Sequence, residues 1–270
     1  MNLKNGQQRL ISDGSTKIHP DDIVLNEFTT IDEEPLITFG QTKRKVLMYL
    51  WNTRISYKDK DILCAVTDVK ACFRYPQFAP DVAGVFGFII KELKHYYLSP
   101  ACVFGWKGSA NVWEPFARSI QKMTAVIFDE LTNEDNPHGD LIDLLNWDPP
   151  PPPDQIFVQA VADDLNTGVL DRFGRQLPIP SHMFVDDSFL IAIRKFMRRL
   201  LNAIIEAIFV VMGRRENTRR RCHLALDKWI RMTISHKFVF IGLEFDTRKM
   251  TVGITNKFRD ETVAQNKEDL

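Results

Sequence analysis

Three pairs of adjacent aspartates occur in this 270-residue sequence, at 21–22, 163–164 and 186–187, so the dipeptide alone identifies nothing and its flanks must decide. Asp21-Asp22 follows His19-Pro20 in a loop-like setting, and Asp163-Asp164 runs into Leu165-Asn166-Thr167-Gly168, an ordinary strand exit. Only the third pair has apolar runs on both sides, His182-Met183-Phe184-Val185 before it and Ser188-Phe189-Leu190-Ile191-Ala192-Ile193 after it. These runs can pair as a hairpin that holds Asp186 and Asp187 at its tip on rigid strands. Adjacent carboxylates repel, and keeping both ionised near neutral pH calls for a cation between them and a third acid. Asp68 is the natural third, because it closes the apolar run from Ile62 to Thr67, where a carboxylate is costly unless paired or bound to metal. Two Mg²⁺ ions about 3.5–4 Å apart on such carboxylates would activate an attacking oxygen and stabilise a leaving one. Taken by themselves, a turn-capping Asp68 and a plain hairpin turn at 186–187 explain these features equally well.

A further candidate is Phe104-Gly105-Trp106-Lys107-Gly108-Ser109, in which two glycines flank a lysine just ahead of a helical pattern. Backbone could approach a phosphate there, and Lys107 or the helix amides could meet it. Glycine-flanked lysines are also common in turns, and Trp106 suits a core.

Residues 1 to about 40 are polar and interrupted by Gly6, Gly14, Pro20, Pro35 and Gly40, predicting loops and short strands. Lys43 to Trp51 fits a short helix or strand entering the core. The run from Asp61 to Asp68 predicts a strand covered on both faces. Val82 to His95 reads as helical. So does Ala110 to Leu131, where Val112, Phe116, Ile120, Met123 and Ile127 share a face and Pro115 must lie in the early turns. Asn133 to Pro137 and Pro149 to Pro153 predict an extended, polyproline-like surface excursion. Ile156-Phe157-Val158 and His182 to Val185 read as strands, and the second half of Phe189 to Met212 as a buried or amphipathic helix. Phe238 to Phe245, a turn at Asp246 to Lys249, and Met250 to Ile254 read as strand, turn, strand.

Composition narrows the class. No stretch reaches the roughly 18 uncharged apolar residues of a bilayer span, and the N-terminus lacks the apolar run of a signal peptide, so an intracellular protein, cytoplasmic or nuclear, is expected, with no membrane partner. Cys64, Cys72, Cys102 and Cys222 show no CxxC pairing, which argues for reduced thiols rather than a zinc site or a disulfide framework. Net charge is zero, weak support for nucleic-acid binding, although bases cluster at Lys195 to Arg199, Arg214-Arg215 and Arg219 to Arg221. Such clusters are more often solvated helix faces than phosphate tracks.

Taken in order, Asp68-Val69-Lys70-Ala71-Cys72-Phe73-Arg74, Gly105-Trp106-Lys107-Gly108-Ser109, Phe184-Val185-Asp186-Asp187 and Phe240-Ile241-Gly242 resemble the palm motifs of reverse transcriptases. The likeness is to those of LTR and tyrosine-recombinase retrotransposons, and it runs from about Trp51 to Thr255. It implies an α+β fold of the right-hand polymerase type, fingers and palm, with an antiparallel palm sheet backed by helices. Residues 1–60 would form an N-terminal segment and part of the fingers. Residues 61–255 would form the palm with a fingers insertion and the Pro-rich excursion near 133–155, and 256–270 a polar tail.

The implied activity is template-directed DNA synthesis from deoxynucleoside triphosphates on an RNA or DNA template with its primer. Two Mg²⁺ ions, or Mn²⁺ in their place, would be held by Asp68 and Asp186, with Asp187 assisting. Phe73 would stack under the incoming sugar and exclude a 2′-hydroxyl. Lys107 and Gly108 would line the nucleotide pocket with Phe104, which stands where many relatives carry glutamine. Phe240-Ile241-Gly242-Leu243 would form a hairpin that grips the primer end through Phe240, Ile241 and Gly242. Lys228 and Lys237 are both candidates for the proton donor to pyrophosphate. The chain reads as a fragment without thumb or ribonuclease H. The alternatives are a catalytically inactive, retroelement-derived nucleic-acid-binding remnant and a domesticated interaction module. The oligomeric state is open.

Overall fold

The computed structural model describes residues 2–4, 7–9, 15, 24–28, 41–83, 86–90, 94–148, 169–170, 176–177, 179–213, 223–256 and 259. In chain order the elements begin with β1 (Asn2–Lys4), β2 (Gln7–Arg9), α1 (Leu25–Phe28), α2 (Thr42–Ser56) and β3 (Ile62–Asp68). A 3-10 turn at Cys72–Arg74 leads to α3 (Pro80–Ala83), β4 (Gly87–Ile90), β5 (His95–Leu98) and α4 (Ser109–Glu130). Then come α5 (Gly139–Ile142), β6 (Asn146–Trp147), β7 (Val169–Leu170), β8 (Gln176–Leu177), β9 (Ser181–Phe184), β10 (Asp187–Ile193) and α6 (Arg194–Met212). The last are α7 (Leu226–Arg231), β11 (Thr233–Ile234), β12 (Lys237–Phe240), β13 (Leu243–Asp246) and β14 (Thr251–Ile254). Two compact units result, one of Met1–Thr38 with Ala71–Ala117, the other of Phe39–Lys70 with Arg118–Leu270.

The larger unit is organised by an antiparallel sheet in the order β3-β10-β9. Its register runs from Ile193 opposite Ile62 to Asp187 opposite Asp68. Because side chains alternate along a strand, Ile62, Cys64 and Val66 share a face with Ile193, Ile191 and Phe189. That face joins Val46 and Leu50 of α2 and Phe240 and Phe245 of a second sheet, β12-β13-β14, in one core. Phe189 is the link between the sheets, its ring centroid 4.3 Å from that of Phe238 and 4.9 Å from that of Phe240. Leu63, Ala65, Leu190 and Ala192 on the opposite face are buried as well. Burial of both faces is why β3 and β10 carry near-continuous apolar runs although the sheet is antiparallel. Helix α6 packs against β10 and β3 and presents Met197, Leu200, Leu201, Ile204, Ile205 and Ile208 as a fully buried stripe.

Buried polar groups tie the ends of these elements together. Asp61, just before β3, accepts from Arg194 Nε at 2.6 Å, and His236 Nε2 lies 2.7 Å from its other carboxylate oxygen, so the start of β3 meets the start of α6 and the chain ahead of β12. Arg54, 2% exposed, donates to the carbonyls of Lys58, Lys60 and Thr247 at 3.1, 2.9 and 3.0 Å, closing the turn after α2.

Several expectations change. Val82 to His95 is not a helix: α3 stops at Ala83, and β4 pairs with β5 from Gly87 opposite Leu98 to Ile90 opposite His95. Gly84 and Gly87 disfavour helix, whereas Phe88, Ile89, Tyr96 and Tyr97 favour strands. Phe238 to Phe245 is two strands, because Phe240 pairs with Leu243 and the chain reverses at Ile241-Gly242. Part of the expected surface excursion is packed instead: Ile142 and Leu145 are buried, β6 pairs in parallel with β11, and Trp229 Nε1 donates to Leu141 O at 3.1 Å. The proline run Pro149 to Pro153, Asp163-Asp164, Asp21-Asp22 and the strand expected at Ile156 to Val158 lie outside the described residues. No helix among the described residues is long and apolar enough to cross a membrane, and Cys64, Cys72 and Cys102 are buried.

Candidate active site

Asp68 is the last residue of β3 and is 7% exposed. Its strand is held on both sides. Toward β10, Val69 N–H donates to Asp186 O at 3.0 Å; on the other side Val69 bridges Leu224, Lys70 N–H donates to His223 O at 2.7 Å, and Ala225 N–H donates to Asp68 O at 3.2 Å. The segment 223–225 leads directly into α7, and from that helix Lys228 Nζ donates to Asp68 Oδ2 in an ion pair.

Asp186 and Asp187 lie where β9 turns into β10. Phe184 pairs with Asp187, so the turn consists of Val185 and Asp186. Val185 has φ 56°, which matches the twist of a tight hairpin but is strained for a β-branched residue. Strain of this kind persists only where the surroundings impose it, and it clusters at sites that use the geometry. Asp187 begins β10 and stands directly opposite Asp68. Residues opposite one another project from the same face of a sheet, so this pair continues the row of Ile62, Cys64 and Val66 with Ile193, Ile191 and Phe189 as its polar end. Like charges so placed are unfavourable, and Lys228 supplies a positive charge beside them. The donor oxygens are hard, of the type Mg²⁺ and Mn²⁺ prefer. Among the described residues, no three His, Cys, Asp or Glu side chains are gathered closely enough to hold a metal ion as they stand.

The other candidates divide between the two units. In the larger, Phe240 is 3% exposed and belongs to the core, so the hairpin presents Ile241 and Gly242 rather than the Phe240 ring. Ile241 and Gly242 have φ of 50° and 75°, the signature of a two-residue type I′ turn. The second lysine candidate, Lys237, lies 4.0 Å from Asp246.

In the smaller unit, Phe73 and Phe104 face each other with ring centroids 6.2 Å apart, and Phe104 is exposed. Trp106 packs on Phe78 and Phe86. Gly108 is required by Trp106, because a Cβ there would lie 2.3 Å from its ring. The Lys107 N–H donates to Asn26 Oδ1 at 2.9 Å, and Asn26 Nδ2 donates to Gly105 O at 3.0 Å, so Asn26, which the sequence gave no reason to single out, braces the loop. The basic cluster on α6 is largely engaged within the chain. Arg194 pairs with Asp61 and Arg198 with Asp143, and Arg199 lies over the rings of Phe128 and Phe196. Arg214 to Arg221 lie outside the described residues.

No protein-family model matches the chain, and no curated protein matches its sequence. Among solved structures, the foamy viral protease-reverse transcriptase dRH in complex with double-stranded DNA matches at TM-score 0.50 and 11% identity, over 97% of this chain and 31% of that one. The fold is similar to that of a reverse transcriptase. Weaker matches are the foamy viral protease-reverse transcriptase with an RNA/DNA hybrid, at TM-score 0.40 and 12% identity over 79% of this chain and 19% of that one. Another is apo telomerase from Candida tropicalis, at 0.38 and 12% over 82% and 40%. The chain spans about a third of the length of the first foamy viral protein.

Proposed function

We propose that this chain is the fingers and palm of a reverse transcriptase and that it extends a primer with deoxynucleotides on an RNA or DNA template. The observation that carries the reading is the placement of Asp68 directly across from Asp187, with Asp186 in the tight turn that leads into β10. Asp68 and the adjacent pair Asp186-Asp187, far from it in sequence, come to the same end of one sheet, in an order shared with the palm motifs. Asp68, Asp186 and Asp187 would hold divalent cations, which when bound activate the attacking oxygen and neutralise the leaving one.

The chain's own residues would do the rest. The β9-β10 turn fixes the carboxylates through backbone hydrogen bonds rather than through a loop. Phe73, with Phe104 against it, would form the wall that meets the incoming sugar, and Lys107 and Gly108 would border the nucleotide. Ile241 and Gly242, at the tip of the β12-β13 hairpin, would bear on the primer end. Of the two lysines considered as acids for the departing pyrophosphate, Lys228 is the one whose Nζ contacts Asp68.

Primer extension tests the reading. Purified protein should add deoxynucleotides to an annealed primer, and Asp186→Ala should abolish addition while leaving the fold intact by circular dichroism. Binding of template-primer without extension favours an inactive nucleic-acid-binding remnant. Neither binding nor extension favours an interaction module.

A further inference from the structure

We infer that Lys228 is a built-in counter-cation for Asp68, which holds the carboxylate in metal-free protein and must leave it for a divalent ion to bind. The inference rests on the reading of Asp68 as a metal ligand. Asp68 is 7% exposed, and a buried carboxylate without a positive partner is expensive. Its Oδ2 accepts the ammonium of Lys228, and the carboxylate of Asp187 stands on the facing strand, so the lysine occupies the place where positive charge is most needed.

The two partners differ in a way that makes the pair reversible. Lys228 is 51% exposed, so its ammonium can return to water at little cost, whereas Asp68 remains at the end of a buried strand. A flexible four-carbon stem permits that movement. Meanwhile the segment that carries the lysine stays anchored, because Ala225 N–H bonds Asp68 O and Lys70 N–H bonds His223 O. Lys228 and a divalent cation compete for the same oxygen and repel each other there, so each weakens the hold of the other. Lys237, 68% exposed and 4.0 Å from Asp246, has no such place.

The test is Mn²⁺ titration, following the free-ion paramagnetic resonance signal, with thermal melting in EDTA and in Mn²⁺. Wild type, Lys228→Met, Lys228→Arg, Lys237→Met and Asp68→Asn are compared. Lys228→Met should melt earlier than wild type in EDTA, bind Mn²⁺ roughly tenfold more tightly, and gain more from it in melting temperature. Lys228→Arg, which keeps the charge, and Lys237→Met should bind Mn²⁺ no more tightly than wild type. Equal affinity in Lys228→Met and wild type, with binding lost in Asp68→Asn, overturns the counter-cation role and leaves the carboxylate site standing. Tightening in Lys228→Arg also overturns it. Mn²⁺ binding by Asp68→Asn at wild-type affinity removes the metal-site reading and the inference with it.

Discussion

Asp68 and Asp187 stand directly opposite each other at the ends of β3 and β10, two carboxylates on a face where the other β3-β10 pairs are apolar. A protein selected for stability alone would not choose this pair. Opposed like charges cost up to about 1 kcal/mol, and an amide would relieve them. Asp187→Asn should therefore raise the melting temperature of metal-free protein while reducing primer extension. Thermal scans in EDTA check the first effect, and a lower melting temperature would count against the arrangement.

Burial gives His182 a pH-dependent role in stability. It lies in β9 opposite Phe189, 2% exposed, with neither ring nitrogen hydrogen-bonded and the Tyr49 ring edge-on at 5.5 Å. Burial, helped by the charge of Lys45, pushes its pKa down to about 3. The folded protein thus keeps His182 neutral where the unfolded chain takes up a proton, so its contribution is complete above the unfolded value of about 6.5 and is lost as pH falls toward 3. Each pH unit in that window should cost up to about 1.4 kcal/mol of unfolding free energy. His182→Phe should flatten this slope in urea titrations between pH 6.5 and 4.5; an unchanged slope would show that other groups set it.

Arg54 closes the turn after α2 by filling carbonyls that no other described side chain is seen to reach, and burial lowers its pKa to about 10. Arg54→Met would remove the donor from these carbonyls, including that of buried Thr247, and Arg54→Lys cannot reproduce the planar fork. Both should lower the unfolding free energy in urea titrations, the methionine variant by about 1–3 kcal/mol. A loss within measurement error would mean that water replaces the guanidinium.

Gly108 offers a local test of the Trp106 packing. Gly108→Ala puts a methyl 2.3 Å from the indole, and overpacking of this kind costs about 1–3 kcal/mol. The variant should show a shifted tryptophan emission spectrum as Trp106 moves off Phe86. An unchanged spectrum would contradict the close approach.

What could be read from sequence depended on whether local pattern and tertiary demand agreed. The strands β3, β9 and β10 were legible because apolar runs ended abruptly at charged residues, and α4 and α6 because their apolar positions repeat at helical spacing over five or more turns. The convergence of Asp68 with the 186–187 turn followed from those strands once motif order suggested that they pair. The β4-β5 hairpin was missed because Val82 to His95 mixes helix formers with aromatic and β-branched residues, and cross-strand pairing decided the outcome. The reversal at Ile241-Gly242, a hairpin that the motif resemblance implies, is hidden from periodicity inside an apolar run, since isoleucine seldom takes positive φ and only Gly242 marks the turn. The ion pair between Lys228 and Asp68 joins residues 160 apart, and no local pattern distinguishes Lys228 from Lys237.

The proposed function requires Asp68 and Asp186 to share divalent cations. Crystals soaked in Mn²⁺ with primer-template and a deoxynucleoside triphosphate should show anomalous density against the side chains of Asp68 and Asp186, with Lys228 Nζ withdrawn from Asp68. Density confined to other parts of the molecule, with Lys228 still on Asp68, would contradict the account.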